Sequence, residues 1–204
     1  MNKLPNVIIF DDICDTNLLD KAYEEARQKG TASYPFFNST DELSDDDSAF
    51  AAIKELTWHL WCNKLKEILP EKYAGWEVWH NNMYEGDDLH KHLDVDEKAQ
   101  KVVTPYLGCV LYLGPNSDIR GGSLNLNVTC WKKKTDAEKK PLIIPFRYNR
   151  VVLFKECLHW VAPVRKLEDP KLPRISLSCP LWETPISPIV RDGYHKPSTN
   201  FDLD

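Results

Sequence analysis

Hydrophobic residues in the first third of the chain recur mostly at helical spacing. A short apolar run covers residues 7–10, and Asp15 can then cap a helix that closes on Gly30. Over residues 48–69 apolar positions recur every three or four residues until a proline ends the run. The sequence therefore predicts a short strand and two helices, with a loop over residues 31–47.

From residue 76 onward the pattern changes to short runs rich in β-branched and aromatic residues, separated by turn residues. These runs are WEVWHNNMY, VVTPYLGCVLYLG, GGSLNLNV, PLIIPF, RVVLF, HWVAPV and RISLSCPLW. Their order is typical of a β-sandwich or jelly roll. We predict a mainly β fold with the N-terminal α-helices packed on one sheet. A single domain should cover residues 1–204, with helical support over 1–72, the β core over 73–183 and a Pro-rich tail over 184–204.

Composition narrows the class of protein. The chain has 204 residues, 42% of them hydrophobic and 28% charged, which is the composition of a globular domain. It contains no apolar run near the roughly 20 residues that span a bilayer. The six cysteines form no C-x-x-C pair, and the net charge of −5 disfavours nucleic acid as a partner. We expect a cytoplasmic protein that binds neither membranes nor nucleic acid.

A candidate metal site lies at His92-Leu93-Asp94. On an extended segment, residues i and i+2 point to the same face, so His92 and Asp94 can approach one ion together. His159, which follows a strand-like run much later in the chain, can supply a second imidazole. Two histidines and one carboxylate form the facial triad of non-haem Fe(II) oxygenases, which leaves coordination positions open for other ligands. The catalytic metal predicted at these three residues is therefore Fe(II).

A candidate anion site lies on the alternating run RISLS. This pattern puts Arg174 and Ser176 on one face of a strand. A guanidinium beside a hydroxyl suits a carboxylate, which arginine can bind through two parallel hydrogen bonds. Tyr112, on another predicted strand, can add a phenolic donor. We expect these three residues to bind one end of a dicarboxylic keto acid whose other end chelates iron.

These motifs together resemble the prolyl 4-hydroxylase-like branch of the 2-oxoglutarate oxygenases over about half of the chain. The similar segments are MYEGDDLHKHLD, YLGCVLYLGPNSDIRGGSLNL, FRYNRVVLF with HWVAP, and RISLSCPLW, in the family's order. The resemblance implies a double-stranded β-helix, which is a cupin-like jelly roll. It also implies an iron triad at His92, Asp94 and His159, an anchor for 2-oxoglutarate at Arg174, and a co-substrate contact at Tyr112.

The activity implied is that of a dioxygenase that uses O2 and 2-oxoglutarate to hydroxylate an unactivated C–H, with succinate and CO2 as co-products. The substrate implied is an amino acid or a peptidyl side chain, with proline as a first guess. Relatives that transfer halide carry a small residue at the position of Asp94. The carboxylate therefore favours hydroxylation.

Alternatives remain for individual residues. His90 lies two residues before His92 and could compete as a metal ligand, and Arg165 could compete with Arg174 as the anchor. The acidic run of Glu85, Asp87 and Asp88, with Asp96 and Glu97, could favour a cationic substrate or serve only solubility.

Two other functions are compatible with the pattern. One is a nucleic-acid demethylase with the same iron chemistry, although that class carries a second arginine where this chain has Pro180. The other is a non-enzymatic binding protein on the same scaffold. Substrate selection should come from residues 87–104, from the charged hairpin at 129–141 and from the termini.

Overall fold

A computed structural model describes residues 6–38, 50–95, 103–128 and 140–185. The helices are α1 (Thr16–Lys29) and α2 (Ala51–His59), followed by a π-helical turn (Leu60–Lys64) and a 3-10 turn (Lys66–Ile68). The strands are β1 (Val7–Asp11), β2 (Ala32–Asn38), β3 (Gly75–Met83), β4 (Leu89–His92), β5 (Gly108–Gly114), β6 (Ile119–Gly121), β7 (Leu124–Leu126), β8 (Leu142–Ile144), β9 (Arg150–Phe154), β10 (His159–Val161), β11 (Val164–Leu167), β12 (Arg174–Ser178) and β13 (Leu181–Trp182).

The strands pair antiparallel in two facing sheets. In the described part of the chain, the major sheet has seven strands in the order β1-β9-β5-β12-β3-β13, with β2 also paired to β3. The minor sheet has the order β4-β10-β7-β8, and β6 pairs with β11 in a small ribbon. Neighbouring strands are mostly distant in sequence, which is the crossed connectivity of a jelly roll rather than a meander.

Side chains alternate along the major sheet, so its two faces contribute to different core clusters. One face, which includes Leu111 and Leu177, packs against buried residues of the helices such as Leu19 and Leu56. The opposite face packs against the minor sheet, and its residues form the inner cluster. The inner cluster consists of Val110, Tyr112, Leu124, Leu126, Ile144, Val152, Phe154 and Cys157. The prediction that the helices pack on one sheet is confirmed.

Helix α1 is held at both ends by side chains. The Asp15 carboxylate accepts a hydrogen bond from the Leu18 N–H at 3.0 Å, as expected for the predicted N-cap. At the other end, the buried His80 imidazole donates to the Ala26 carbonyl at 3.1 Å and also to the Gly30 carbonyl. Because β3 carries His80, these bonds join the end of the helix to the major sheet.

Two predictions about the N-terminal region are wrong in detail. The segment predicted as a loop over residues 31–47 contains strand β2, which extends the major sheet beside β3. The predicted helix over residues 48–69 is shorter, because α2 ends at His59 and the chain continues as the π-helical and 3-10 turns. The predicted Pro-rich tail and the charged hairpin lie largely outside the described residues, as does Lys132 in that hairpin.

The fold class is confirmed as mainly β, with two antiparallel sheets and a helical layer on one of them. Among the described residues, no helix is both long and apolar enough to cross a membrane.

Candidate active site

Three side chains converge at one end of the minor sheet. The ligand atoms of His92, Asp94 and His159 all lie within 4.8 Å of one another. Asp94 Oδ1 is 3.6 Å from His92 Nε2 and 3.7 Å from His159 Nε2. The three side chains are only 9%, 10% and 6% exposed, so they are largely shielded from bulk water. The structure therefore brings together the three residues that the sequence predicts as metal ligands.

Strand pairing explains why the two histidines meet. His159 on β10 lies directly opposite His92 on β4 in the antiparallel register. Their imidazole centroids are 4.2 Å apart, so both rings project to the same face of the minor sheet. Asp94 follows β4 by two residues, beyond the end of the strand. The pairing of β4 with β10 therefore brings together two histidines that are far apart in sequence. Asp94 lies near them because the chain continues beyond His92 in the direction of β4.

Both imidazoles are oriented by backbone carbonyls. His92 Nδ1 lies 2.7 Å from the carbonyl oxygen of His90, and His159 Nδ1 lies 2.9 Å from that of Cys157. In each case Nδ1–H donates to the carbonyl two residues earlier, which leaves the Nε2 lone pair free to face Asp94 and a metal ion. This tautomer is the one that a metal ligand through Nε2 requires.

Burial sets the charge state of this site. Burial lowers the pKa of the His159 imidazole, an effect that the nearby Asp94 carboxylate opposes. The neutral imidazole, which is the form that binds metals, is therefore favoured. Glu156 also lies here, and its Oε1 accepts a hydrogen bond from the Asp94 N–H at 3.2 Å. Burial first, and then the charge of Asp94, raises the pKa of the Glu156 carboxyl to about 9.

Arg174 forms the second half of the site. Its side chain is completely buried on β12, and burial lowers the pKa of its guanidinium. Nη1 donates to Met83 Sδ and to Ser176 Oγ, each at 3.2 Å, whereas Nε and Nη2 have no hydrogen-bond partner among the described residues. A buried cation with two free donors is costly unless an anion completes it. The arrangement therefore fits a carboxylate.

Aromatic rings surround this guanidinium. Arg174 Cζ lies 5.1 Å from the Tyr112 ring centroid and 5.4 Å from that of Phe146. The Tyr112 hydroxyl is buried near Arg174 and makes no hydrogen bond of good geometry in the part of the chain that the structure describes. Burial raises the pKa of this phenol, so the hydroxyl remains protonated at neutral pH and can donate. Tyr112 and Arg174 thus present unsatisfied donors close to each other.

A glycine makes room for the arginine. Gly122 has φ of +63°, and a Cβ at this position would lie 2.9 Å from Arg174 Cδ and 3.0 Å from Nε. Both the backbone conformation and the close approach favour glycine here. The Gly-Gly turn between β6 and β7 therefore shapes the space that the buried guanidinium occupies.

The metal site and the guanidinium border the same inner cluster. Tyr112, which contacts Arg174, and Phe154, whose ring centroid is 5.1 Å from that of His159, both belong to it. Each half of the candidate site therefore contacts an aromatic residue of the inner cluster. Their roles in binding remain predictions.

The alternative ligands are placed elsewhere. His90 is exposed and contributes its backbone carbonyl to His92 rather than an imidazole to the cluster. Arg165 is exposed on β11, whereas Arg174 is buried. In the acidic run, Glu85 Oε1 accepts from the Leu167 N–H at 2.9 Å. At least part of that run therefore joins the segment before β4 to strand β11.

Three neighbours of the site were not predicted as functional residues. Phe146 lies in a predicted strand run, and its position over Arg174 depends on pairing between distant strands. Gly122 is visible in the sequence as part of a Gly-Gly pair, which signals a turn but not the contact with Arg174. Glu156 has no local signal, because its contact with Asp94 joins residues 62 positions apart.

Comparison with known proteins gives matches to solved structures alone. No family model and no curated protein matches the sequence. A prolyl-4-hydroxylase from Pseudomonas putida aligns at 17% identity, over 87% of this chain and 85% of that chain, with a TM-score of 0.53. HygX from Streptomyces hygroscopicus, solved with nickel and 2-oxoglutarate bound, aligns at 13% identity over 88% and 83% of the two chains, with a TM-score of 0.54.

A third structure is SnoN, a non-haem α-ketoglutarate-dependent epimerase from nogalamycin biosynthesis. It aligns at 13% identity over 87% of this chain and 76% of that chain, with a TM-score of 0.58. At these identities the likeness establishes the fold. The chain has the jelly-roll fold of 2-oxoglutarate oxygenase structures, and the resemblance to prolyl 4-hydroxylase-like proteins is confirmed at that level.

Proposed function

We propose that this protein is an Fe(II)- and 2-oxoglutarate-dependent dioxygenase that hydroxylates an amino acid or a peptidyl side chain. One observation carries the proposal. A two-histidine, one-carboxylate cluster and a fully buried guanidinium with free donors border the same inner cluster of a jelly roll. A metal ion bound by the triad and chelated by a keto acid would complete both halves, because the distal carboxylate of the keto acid would reach Arg174.

The donor set fits ferrous iron. Two neutral imidazoles and one carboxylate are the ligands of the non-haem Fe(II) facial triad, and three protein ligands leave positions open for a chelating co-substrate and O2. When bound, iron and 2-oxoglutarate supply the oxidising chemistry, in which the keto acid loses CO2 and becomes succinate while one oxygen atom enters the substrate. His92, Asp94 and His159 would hold the metal, at a place where their own side chains are largely shielded from water.

The second half fits the distal carboxylate of 2-oxoglutarate. Arg174 offers Nε and Nη2, which lie on one edge of the guanidinium plane and can donate in parallel to two carboxylate oxygens. The Tyr112 hydroxyl offers a further donor. Ser176 Oγ accepts from Arg174 Nη1, so Ser176 supports the arginine and is proposed to line the same pocket.

Hydroxylation is favoured by the complete triad and by the resemblance in motif order. Asp94 lies beside both imidazoles, so the carboxylate occupies the position that a halide would otherwise take. Solved structures with this fold include prolyl-4-hydroxylases, which supports a proline or similar residue as a first substrate to test. The fold also serves an epimerase, so the product must be identified and not assumed. The cytoplasmic location stays a prediction.

The metal and co-substrate are tested by anaerobic titration with Fe(II) and 2-oxoglutarate, followed through the weak visible charge-transfer band of the chelate. The band should form in the parent protein and be absent in His92→Ala. His90→Ala is the matched control, because it removes an exposed imidazole two residues away while its backbone carbonyl remains available to His92. Loss of the band in His90→Ala, or its survival in His92→Ala, would contradict the assignment.

Substrate class is tested by release of succinate. Free amino acids and short peptides, including proline-containing ones, are screened for stimulation of succinate formation above the uncoupled background. Mass spectrometry of the stimulating compound then distinguishes the outcomes, since hydroxylation adds one oxygen atom, halogenation adds a halogen, and epimerisation leaves the mass unchanged. A product without added oxygen would exclude the hydroxylase.

A further inference from the structure

Glu156 lies in the short segment between β9 and β10, next to the candidate metal ligands. Its Oε1 accepts a hydrogen bond from the Asp94 N–H at 3.2 Å. Its Oε2 is shielded from solvent and has no hydrogen-bond partner among the described residues. A carboxyl group in this position is not needed to complete the metal cluster, which His92, Asp94 and His159 form without it.

The three candidate ligands differ in how they are held. His92 and His159 lie on paired strands, and backbone carbonyls orient both rings. Asp94 lies beyond the last residue of β4, so the hydrogen-bond ladder of the strand does not extend to it. The Glu156 carboxyl connects the Asp94 backbone to the segment that leads into His159, across 62 positions of sequence.

The same segment also orients a second candidate ligand, His159. The Cys157 carbonyl accepts from His159 Nδ1 at 2.9 Å, one residue after Glu156. Residues 156–159 therefore include one candidate ligand, His159, and the carbonyl that orients it. They also include the carboxyl group of Glu156, which contacts the backbone of Asp94. Outer contacts of this kind affect metal affinity because a ligand held in place loses less freedom on binding.

We propose that Glu156 is a positioning residue for the metal centre, which holds the Asp94 backbone so that the Asp94 carboxylate faces both imidazoles. This inference rests on the proposed metal site. The hydrogen bond to the Asp94 N–H is the feature that matters, and the residue itself does not bind the metal.

The test compares Glu156→Ala with Glu156→Gln in the full chain. Alanine removes the acceptor, whereas the glutamine carbonyl can still accept from the Asp94 N–H. The control is Glu168→Ala, because the Glu168 carboxylate also accepts from the backbone N–H of an aspartate, Asp118, at 3.3 Å, in a turn apart from the three ligands. Co(II) alone is the probe, and its affinity is measured from the visible absorption of the bound ion in competition with a chelator.

Glu156→Ala should weaken Co(II) binding by about 10- to 100-fold, the range seen when outer-shell partners of metal ligands are removed. Glu156→Gln and Glu168→Ala should stay within about threefold of the parent. Thermal unfolding without metal should show that Glu156→Ala is folded at the temperature of the titration. If Glu156→Ala binds Co(II) as the parent does, or if Glu156→Gln is as weak as Glu156→Ala, the positioning role is refuted.

The parent and His92→Ala separate this inference from the proposed function. If the parent binds Co(II) in a way that depends on His92 while Glu156→Ala has parental affinity, only the positioning role fails. If His92→Ala binds as tightly as the parent, the metal site itself is wrong. Equal weakening in Glu156→Ala and Glu168→Ala would also overturn the positioning role, because it would indicate a general loss of structure.

Discussion

At the scale of single residues, the strongest indication of function is a buried charge that no described residue neutralises. Arg174 is fully buried, yet two of its donor atoms have no partner among the described residues. An uncompensated buried cation destabilises the folded state, since the surrounding protein solvates it poorly. Its neighbours are a thioether, a hydroxyl and two aromatic rings, none of which is an anion. The residue is best explained by a ligand that supplies the missing charge.

Replacement of this arginine should therefore separate stability from ligand binding. Arg174→Met keeps a long apolar chain and removes the buried charge, so the free energy of unfolding without ligand should not decrease. Binding of 2-oxoglutarate to the metal-loaded protein should weaken by at least about 30-fold, which corresponds to about 2 kcal/mol for a lost pair of charged hydrogen bonds. Chemical denaturation and calorimetric titration measure the two quantities.

Arg174→Lys is the informative companion, because it retains the charge and loses the planar fork. It should bind 2-oxoglutarate more weakly than the parent and be less stable without ligand than Arg174→Met. Parental affinity in Arg174→Met would show that the guanidinium does not bind the co-substrate.

Gly122 should affect the same ligand without touching it. In Gly122→Ala, the new Cβ would lie 2.9 Å from Arg174 Cδ, so the guanidinium must move. Gly86→Ala is the control, since Gly86 also has positive φ but has open space around its Cβ position. Both variants should lose about 1 kcal/mol of stability from the backbone conformation. Weaker binding of 2-oxoglutarate is expected for Gly122→Ala alone, and equal affinities in the two variants would contradict it.

Residue chemistry explains which parts of the site the sequence predicts. His92, Asp94 and His159 stand out because metals bind few residue types, and Arg174 stands out because its strand alternates. The contacts made by Gly122 and Glu156 leave no such pattern, because they depend on how distant turns are placed in space. The residue types that bind the ligands can thus be predicted from the sequence. The orientation of their side chains and the space around them depend on the fold.

At the scale of elements, β1 is an edge strand that pairs with β9 and ends on ion pairs made by its last residue. Asp11 at its end accepts from Arg150 Nε at 2.6 Å and Nη2 at 2.9 Å, and from Arg147 Nη1 at 2.9 Å. The hydrogen bond to Arg150 is the main reason why the pKa of Asp11 is lowered. Because a lowered pKa means that folding favours the charged form, this stabilisation is present above the unfolded-state pKa and is lost as pH falls through the folded-state pKa.

Asp11→Asn should therefore make the free energy of unfolding depend less on pH in the acid range. Above about pH 5 the variant should be less stable than the parent, and the difference should shrink as pH falls below about 4. The control is Glu24→Gln, which removes an exposed carboxylate that pairs with Arg27 inside a single helix and should change stability less. Urea denaturation at several pH values measures this. A constant difference between Asp11→Asn and the parent at every pH would contradict the prediction.

Elements are predictable from sequence where hydrophobic periodicity alone decides them. Helix α1 and strands β9 and β12 follow from the spacing of apolar residues and from caps. The sequence does not predict strand β2, because the strand contains a proline and is followed by many polar residues. It forms by pairing with β3 rather than by a pattern of its own. The change from α2 to a π-helical turn is likewise invisible, because the same apolar spacing fits both within a few residues.

At the scale of the whole molecule, the two halves of the candidate site lie on different sheets, which share the inner cluster. The major sheet contributes Arg174 and Tyr112, and the minor sheet contributes His92 and His159. A ligand that joins the metal to the guanidinium would therefore connect the two sheets. Binding should stabilise the fold as a whole, because a ligand that binds only the native state adds its binding free energy to that of folding.

Thermal unfolding should consequently show an ordered set of shifts. A ligand present at about one hundred times its dissociation constant stabilises by about 2.7 kcal/mol, which raises the melting temperature of a domain of this size by about 5–10 °C. In the parent, a redox-inert metal such as Ni(II) should raise the melting temperature, and 2-oxoglutarate should raise it again. This second increase should be larger with metal than without, because chelation requires the ion. Arg174→Met should keep the increase in melting temperature caused by the metal and lose the one caused by 2-oxoglutarate. His92→Ala should lose the increase caused by the metal and most of that caused by 2-oxoglutarate. If 2-oxoglutarate stabilised the parent equally with and without metal, the two halves would not share a ligand, and the co-substrate would bind somewhere other than between the triad and the arginine.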